Sequence, residues 1–230
     1  MKTMDYETTL LGEIVADDFR SASILKEAGI DFCCGGAKSL DAACREKNIP
    51  VDGIVKLLKE LESSPASPHL NFKDWEPGFL VDYIVNTHHS YVKKTIPELQ
   101  FYTSKIAEVH GMSHPELVQV SAMFRKVCAE LVPHLELEEK SLFPYIKALI
   151  AGESDIRTEI QSEIKRLKGE HEFAGSTMDL IRILTKDYEV PEDGCQTYHL
   201  AFKLLNQFED DLHIHVHLEN NILFPAALKL

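Results

Sequence analysis

The sequence predicts an all-α protein: a small helical N-terminal domain followed by an up-down four-helix bundle. Three observations carry this expectation. Strand-like alternation is nearly absent, four long stretches step their apolar residues by three and four, and turn residues separate those stretches at short intervals. With 230 residues, 44% of them hydrophobic and 27% charged, the chain has the apolar material for a packed core, which excludes disorder, collagen and a disulfide-stapled mini-scaffold.

The N-terminal helical patterns run roughly from Leu11 to Ala28, Ser39 to Lys47 and Val51 to Leu61, separated by Gly29, by Gly35-Gly36 and by Pro50. They fill residues 1–65, close to the lower size limit for a domain that folds alone. Ser63-Ser64-Pro65-Ala66-Ser67-Pro68 cannot continue a helix, so a linker is placed over 66–75 and the bundle over 76–230. Within the bundle the second helix is expected from Ser113, with Pro115 and Glu116 completing a capping box. The third is expected near Ser154, after Gly152, and the fourth after Pro191-Glu192-Asp193-Gly194. Pro97, Pro133, Pro144 and Pro225 should kink or stop the helices that contain them.

Lys and Arg number 24 against 37 Asp and Glu, a net charge of −13. That balance is wrong for a non-specific nucleic-acid binder, which needs cations against phosphates, and suits carboxylates gathered for a cation. No apolar run approaches the roughly 20 residues needed to span a bilayer, and the first residues lack the basic-then-apolar order of a signal peptide. Five cysteines, two of them adjacent, argue against a secreted disulfide framework. A cytoplasmic chain with reduced thiols is expected.

The bundle contains an internal repeat. His134-x3-Glu138-x4-Phe143-Pro144 matches His215-x3-Glu219-x4-Phe224-Pro225, and a further histidine precedes each copy at nearly equal distance, His89 and His171. In the second stretch Leu117, Val120, Phe124, Val127, Leu131, His134 and Glu138 alternate steps of three and four. Leu205, Phe208, Leu212, His215, Glu219 and Ile222 do so in the fourth, and Ile160, Ile164, Leu167, His171, Ala174, Met178 and Ile181 in the third. His89 lies among Val81, Val85, Val92, Ile96 and Leu99 in the first. Such steps trace the buried stripe of an amphipathic helix, so each helix sends one histidine inward and two add a glutamate one turn later.

One histidine on an apolar stripe is ordinarily a hydrogen-bonded core residue. Four histidines converging with two glutamates are different, because buried carboxylates need a cation or donors, and Lys and Arg are missing from the stripe at these levels. Six nitrogen and oxygen donors without a thiolate exceed a four-coordinate zinc site and suit a pair of first-row ions, with the glutamates bridging and two histidines on each ion. Histidine richness favours iron over manganese. His88 competes with His89 for the first position, and the hairpin spacing favours His89. His213 and His217, with Glu209, Asp210 and Asn220, read as a polar face. His110 and His114 belong to a turn, His69 to the linker and His199 to a helix start. Glu130 and Asp211 each precede a proposed ligand by four residues, and Glu170 adjoins His171; such carboxylates either orient imidazoles and relay protons or simply form a solvated face.

Asp31-Phe-Cys33-Cys34-Gly-Gly36 is the other unusual segment. Adjacent thiols before two glycines read either as accessible sulfur for metal capture or redox exchange, or as a buried structural pair. Cys44, Cys128 and Cys195 read as isolated small residues.

Taken together, Asp-Phe-Cys-Cys-Gly-Gly, the stretch from His89 to Ile-Pro-Glu-Leu99, His134-x3-Glu138 to Leu-Phe-Pro144, Glu170-His171, and His215-x3-Glu219-Asn-Asn-Ile-Leu-Phe-Pro225 resemble the RIC proteins (repair of iron centres, the YtfE/ScdA type) over nearly the whole chain. The resemblance implies a hemerythrin-like bundle with a non-haem di-iron centre, oxo- and carboxylate-bridged, on His89, His134, Glu138, His171, His215 and Glu219. It implies a role in restoring iron–sulfur clusters damaged by nitric oxide or peroxide, as a homodimer, with Glu130 and Glu170 as carboxylates near the metal site and Cys33 and Cys34 of the N-terminal domain as further catalytic residues. Damaged iron–sulfur proteins and NO or oxygen are then the partners, by iron donation, NO reduction or both. The competing classes are a hemerythrin-like oxygen or NO carrier or sensor, and, ranked last, iron storage. The double-cysteine domain favours repair, since a carrier has no evident use for it.

Overall fold

The computed structural model describes residues 4–64, 71–153 and 157–230, and its contacts gather into two units: Met1–Leu80 with Val216–Leu230, and Val81–His215. The first unit holds α1 (Leu11–Asp17), α2 (Ser21–Glu27), α3 (Leu40–Lys47) and α4 (Val51–Ser63), followed by a single 3₁₀ turn at Phe72–Asp74. The stretch expected as one helix from Leu11 to Ala28 is thus two. Asp18 takes an extended backbone, and its carboxylate accepts from Arg20 N at 3.0 Å and pairs with the Arg20 guanidinium at 2.6 Å. That local bond offers the backbone an alternative to helix. Ser39 caps α3 by accepting from Ala42 N at 3.2 Å, and Asn48 closes it in the left-handed conformation. Leu11, Ile14, Val15, Leu25, Leu40 and Leu58 form the small core. The first half of the expected linker, 66–70, lies outside the described residues.

The bundle comprises four long helical stretches. The first is α5 (Pro77–Ile84) and α6 (Ser90–His110); the second is α7 (Glu116–Leu137) and α8 (Phe143–Ile150). The third is α9 (Arg157–Leu184), and the fourth is α10 (Gln196–His217) and α11 (Phe224–Ala227). The halves of the first, second and fourth are joined by wide π turns at Val85–His89, Glu138–Leu142 and Leu218–Leu223. α7 packs against α6 and α9, and Phe124 of α7 meets Phe208 of α10 edge-on, centroids 5.3 Å apart. No helix among the described residues is long and apolar enough to cross a membrane.

Two expectations change here. α7 starts at Glu116 with no side-chain cap, because Ser113 is spent in a turn whose amides bond back to His110 O. The start expected near Ser154 falls outside the described residues. The prolines stop nothing: Pro97 and Pro133 sit inside α6 and α7, and Pro144 and Pro225 open α8 and α11. A proline lacks the N–H and crowds the carbonyl four residues back. For Pro144 and Pro225 that carbonyl belongs to Lys140 and Asn221, both inside the preceding wide turn, where the chain carries one residue more per turn.

Candidate metal centre

The periodic stripe delivers its polar groups inward. His89, Glu138, His215 and Glu219 are wholly buried, and His134 and His171 nearly so. Within the unit Val81–His215 the donors form two groups, His89–Glu138–His215 and His134–Glu138–His171; in each, one ligand atom per residue lies within 4.8 Å of the others. Glu138 belongs to both groups. The π turns fall at these positions: one ends in His89, one begins with Glu138 and one contains Glu219. Wide turns of this kind recur at functional sites because the extra residue re-aims a side chain without breaking the helix.

Neither oxygen of Glu138 accepts a hydrogen bond, although His134 Nε2 stands 3.4 Å, His89 Nε2 3.5 Å and His171 Nε2 3.9 Å away. A carboxylate so placed costs several kcal/mol, of order, unless a cation meets it. His134 Nε2 and His171 Nε2 face each other at 3.0 Å. Two nitrogens bound at right angles to one ion at about 2.1 Å stand about 3 Å apart, so this spacing fits a shared cation. The donor set therefore fits a first-row metal.

Carboxylates orient two of the rings. His134 Nδ1–H donates to Glu170 Oε2 at 2.7 Å, and His89 Nδ1–H to Glu139 Oε1 at 2.8 Å, which turns each Nε2 toward Glu138. Partial burial acts to raise the Glu139 carboxyl, but hydrogen bonds from Lys93 and His89 outweigh it and hold it below the ordinary carboxylate value. Glu139 escaped the sequence reading; its only signal there was its position next to Glu138. Glu130 is exposed on the outer face of α7 and is not brought to the centre. Asp211 bonds to His88 at 2.9 Å.

The polar face expected around His217 is buried instead. His217 packs between Phe19 and Phe32, accepts from Asn221 Nδ2 at 3.1 Å, and burial pushes its imidazole down to about 4. Glu209 is also buried, taking bonds from Arg182 Nε at 3.0 Å and the Tyr188 hydroxyl at 3.1 Å. His213, half-buried, stands near it and Asp179. His199 is exposed and His69 lies outside the described residues. His110 and His114 are half-buried: His114 Nε2 meets Asp193 at 3.0 Å, and His110 Nε2 meets Cys195 Sγ at 3.2 Å. Cys195, expected as an isolated residue, is therefore partnered. His110 and the backbone N–H groups of Tyr198 and Thr197 lower its thiol to about 7.

The five cysteines are free thiols. Cys33 is buried and Cys34 half-buried. Asp31 organises the turn: its Oδ1 accepts from Cys33 N and Cys34 N at 2.9 Å each and from Cys33 Sγ at 3.1 Å, and its Oδ2 from Gly35 N at 2.9 Å. The contact with Cys34 Sγ at 3.9 Å, burial and the Asp31 charge together push the Cys33 thiol well above its ordinary value. Asp31, Cys33 and Cys34 form a third group with metal-ligand spacing.

Comparison with known families matches residues 7–62 to the ScdA_N domain of unknown function, DUF542, and residues 80–227 to the hemerythrin HHE cation-binding domain. An iron–sulfur cluster repair protein ScdA of Staphylococcus epidermidis is 32% identical over 95% of this chain and 97% of its own length. A probable iron–sulfur cluster repair protein of Haemophilus influenzae is 33% identical over 98% and 99%. An iron–sulfur cluster repair protein YtfE of Yersinia pestis is 30% identical over 98% and 99%. With both domains matched in order and relatives aligned almost end to end, the chain belongs to the ScdA/YtfE family of hemerythrin HHE-domain proteins.

Proposed function

We propose that this chain is a non-haem di-iron protein that repairs iron–sulfur clusters damaged by nitrosative or oxidative stress. The observation that carries the reading is Glu138, fully buried, accepting no hydrogen bond and common to both histidine groups. A carboxylate in that position calls for cations on both sides. His89 and His215 would hold one iron, His134 and His171 the other, with Glu138 and Glu219 shared between them. Bound iron supplies ligand exchange and one-electron chemistry toward NO or oxygen.

The chain's own groups prepare that site. Glu139 and Glu170 hold His89 and His134 in the tautomer whose Nε2 can ligate. Leu131, Leu135, Leu142 and Phe143 are buried on the same helical stretch and exclude bulk water. Iron delivered to a client is cargo, and Asp31, Cys33 and Cys34 offer one carboxylate and two sulfurs at ligand spacing for it. Cys33 keeps its proton, so of this pair the half-buried Cys34 is the one that reacts first.

Metal analysis after loading with ferrous iron should give about two irons per chain; one or none overturns the di-iron centre. Iron-loaded protein should also reactivate an NO-damaged iron–sulfur dehydratase. Reversible oxygen binding without reactivation would make the protein a carrier. Replacing Cys33 and Cys34 by serine should impair reactivation while leaving the iron content intact, and unchanged reactivation would remove the thiols from the mechanism.

A further inference from the structure

His88 is buried next to His89, yet belongs to neither donor group. Like His89 and His134, it donates its Nδ1–H to a carboxylate, Asp211 Oδ1 at 2.9 Å; its own Nε2 is buried without a hydrogen-bond partner. The difference lies in where the ring rests. Its plane is within 7° of the His215 ring, centroids 5.7 Å apart, and the edge of Tyr83 closes its other surroundings at 5.6 Å. His215 in turn lies tilted against His89, centroids 4.9 Å apart.

These contacts make a closed circuit. Asp211 and His215 stand one turn apart on α10, Asp211 fixes the His88 ring, and that ring lies along the face of His215. An imidazole turns about its last side-chain bond in a broad, shallow well. A flat neighbour held by a hydrogen bond narrows that well, because rotating His215 would drive its edge into His88. The carboxylate here acts through an intervening ring, where Glu139 and Glu170 act on a ligand ring directly.

We propose that His88, anchored by Asp211, is a positioning residue that holds the His215 imidazole in its donor orientation. The proposal rests on the reading of His89, Glu138, His215 and Glu219 as a metal-binding group. Titration of the full metal-free chain with cobalt(II), followed by visible absorption, separates the two ideas. Should wild-type protein take up no cobalt, the metal reading itself falls. With wild-type binding in hand, His88→Ala and Asp211→Ala should each weaken one of the bound ions by about 10- to 100-fold and alter its absorption band, leaving the other ion unchanged. His88→Phe, which keeps a flat ring over His215 but gives up the bond to Asp211, should recover part of the loss seen with His88→Ala. Circular dichroism reports folding, and the partly exposed Asp211 leaves a second variant if His88→Ala does not fold. Wild-type affinities and spectra in both alanine variants, or no recovery in His88→Phe, would overturn the proposal.

Discussion

Asn221 closes on Gly36 so tightly that a Cβ on the glycine would stand 2.2 Å from the Asn221 Oδ1. A Cβ on Gly12 would stand 2.6 Å from the same oxygen, and the amide nitrogen of Asn221 donates to Phe32 O at 3.2 Å and Cys33 O at 3.1 Å. The second glycine after the paired cysteines is therefore explained by this close approach. Gly36→Ala should destabilise the chain by about 1–3 kcal/mol, since Asn221 can retreat only by giving up both carbonyls. Urea unfolding measures this. In the double variant with Asn221→Ala part of the loss should return, as expected for residues in contact.

Glu138 separates stability from function. Glu138→Gln keeps the shape and removes the buried charge, so iron content should fall at both ions together. The metal-free variant should melt no lower than the metal-free wild type, because an uncompensated buried carboxylate is lost. Metal analysis beside thermal melting checks both halves. A large drop in the melting temperature of the metal-free variant would show that Glu138 is a structural hydrogen-bonding residue.

Glu170 and Glu139 serve different rings, and their removal should be distinguishable. Glu170→Ala frees His134 Nδ1, and Glu139→Ala frees His89 Nδ1 from these bonds. Each should lower the affinity of one ion by about 10- to 100-fold and spare the other. Stepwise cobalt titration of the two variants gives the measurement.

Cys195 should be the most readily alkylated thiol in the native protein. Its pKa is lowered to about 7, whereas burial pushes Cys128 up to about 12 and Cys33 is also raised. Thiolate forms as pH rises through the pKa, so the initial rate of iodoacetamide labelling at Cys195 should be half-maximal near pH 7. Removing the imidazole in His110→Ala should shift that midpoint upward. Mass spectrometry of each cysteine peptide over pH 5–9 reads the midpoint.

The amino-acid sequence alone determined the helices, their apolar faces and the inward donors. A period of three and four residues fixes which side of a helix is buried, and the repeat with Phe-Pro marked the two His-x3-Glu segments as equivalent. Tertiary structure decided what meets those donors from across the bundle. Periodicity places Glu139, Glu170 and Asp211 near a face boundary, but which imidazole each reaches depends on the separation and rotation of two helices. The same limit put Glu130 with the ligands in sequence, when its side of α7 turns to solvent, and read His217 as exposed before Phe19 and Phe32 enclosed it. The wide turns at Val85–His89, Glu138–Leu142 and Leu218–Leu223 are the clearest case. One extra residue rotates everything beyond it by about 100° on an ideal helix, and only packing against the neighbouring helices selects where that residue is accommodated.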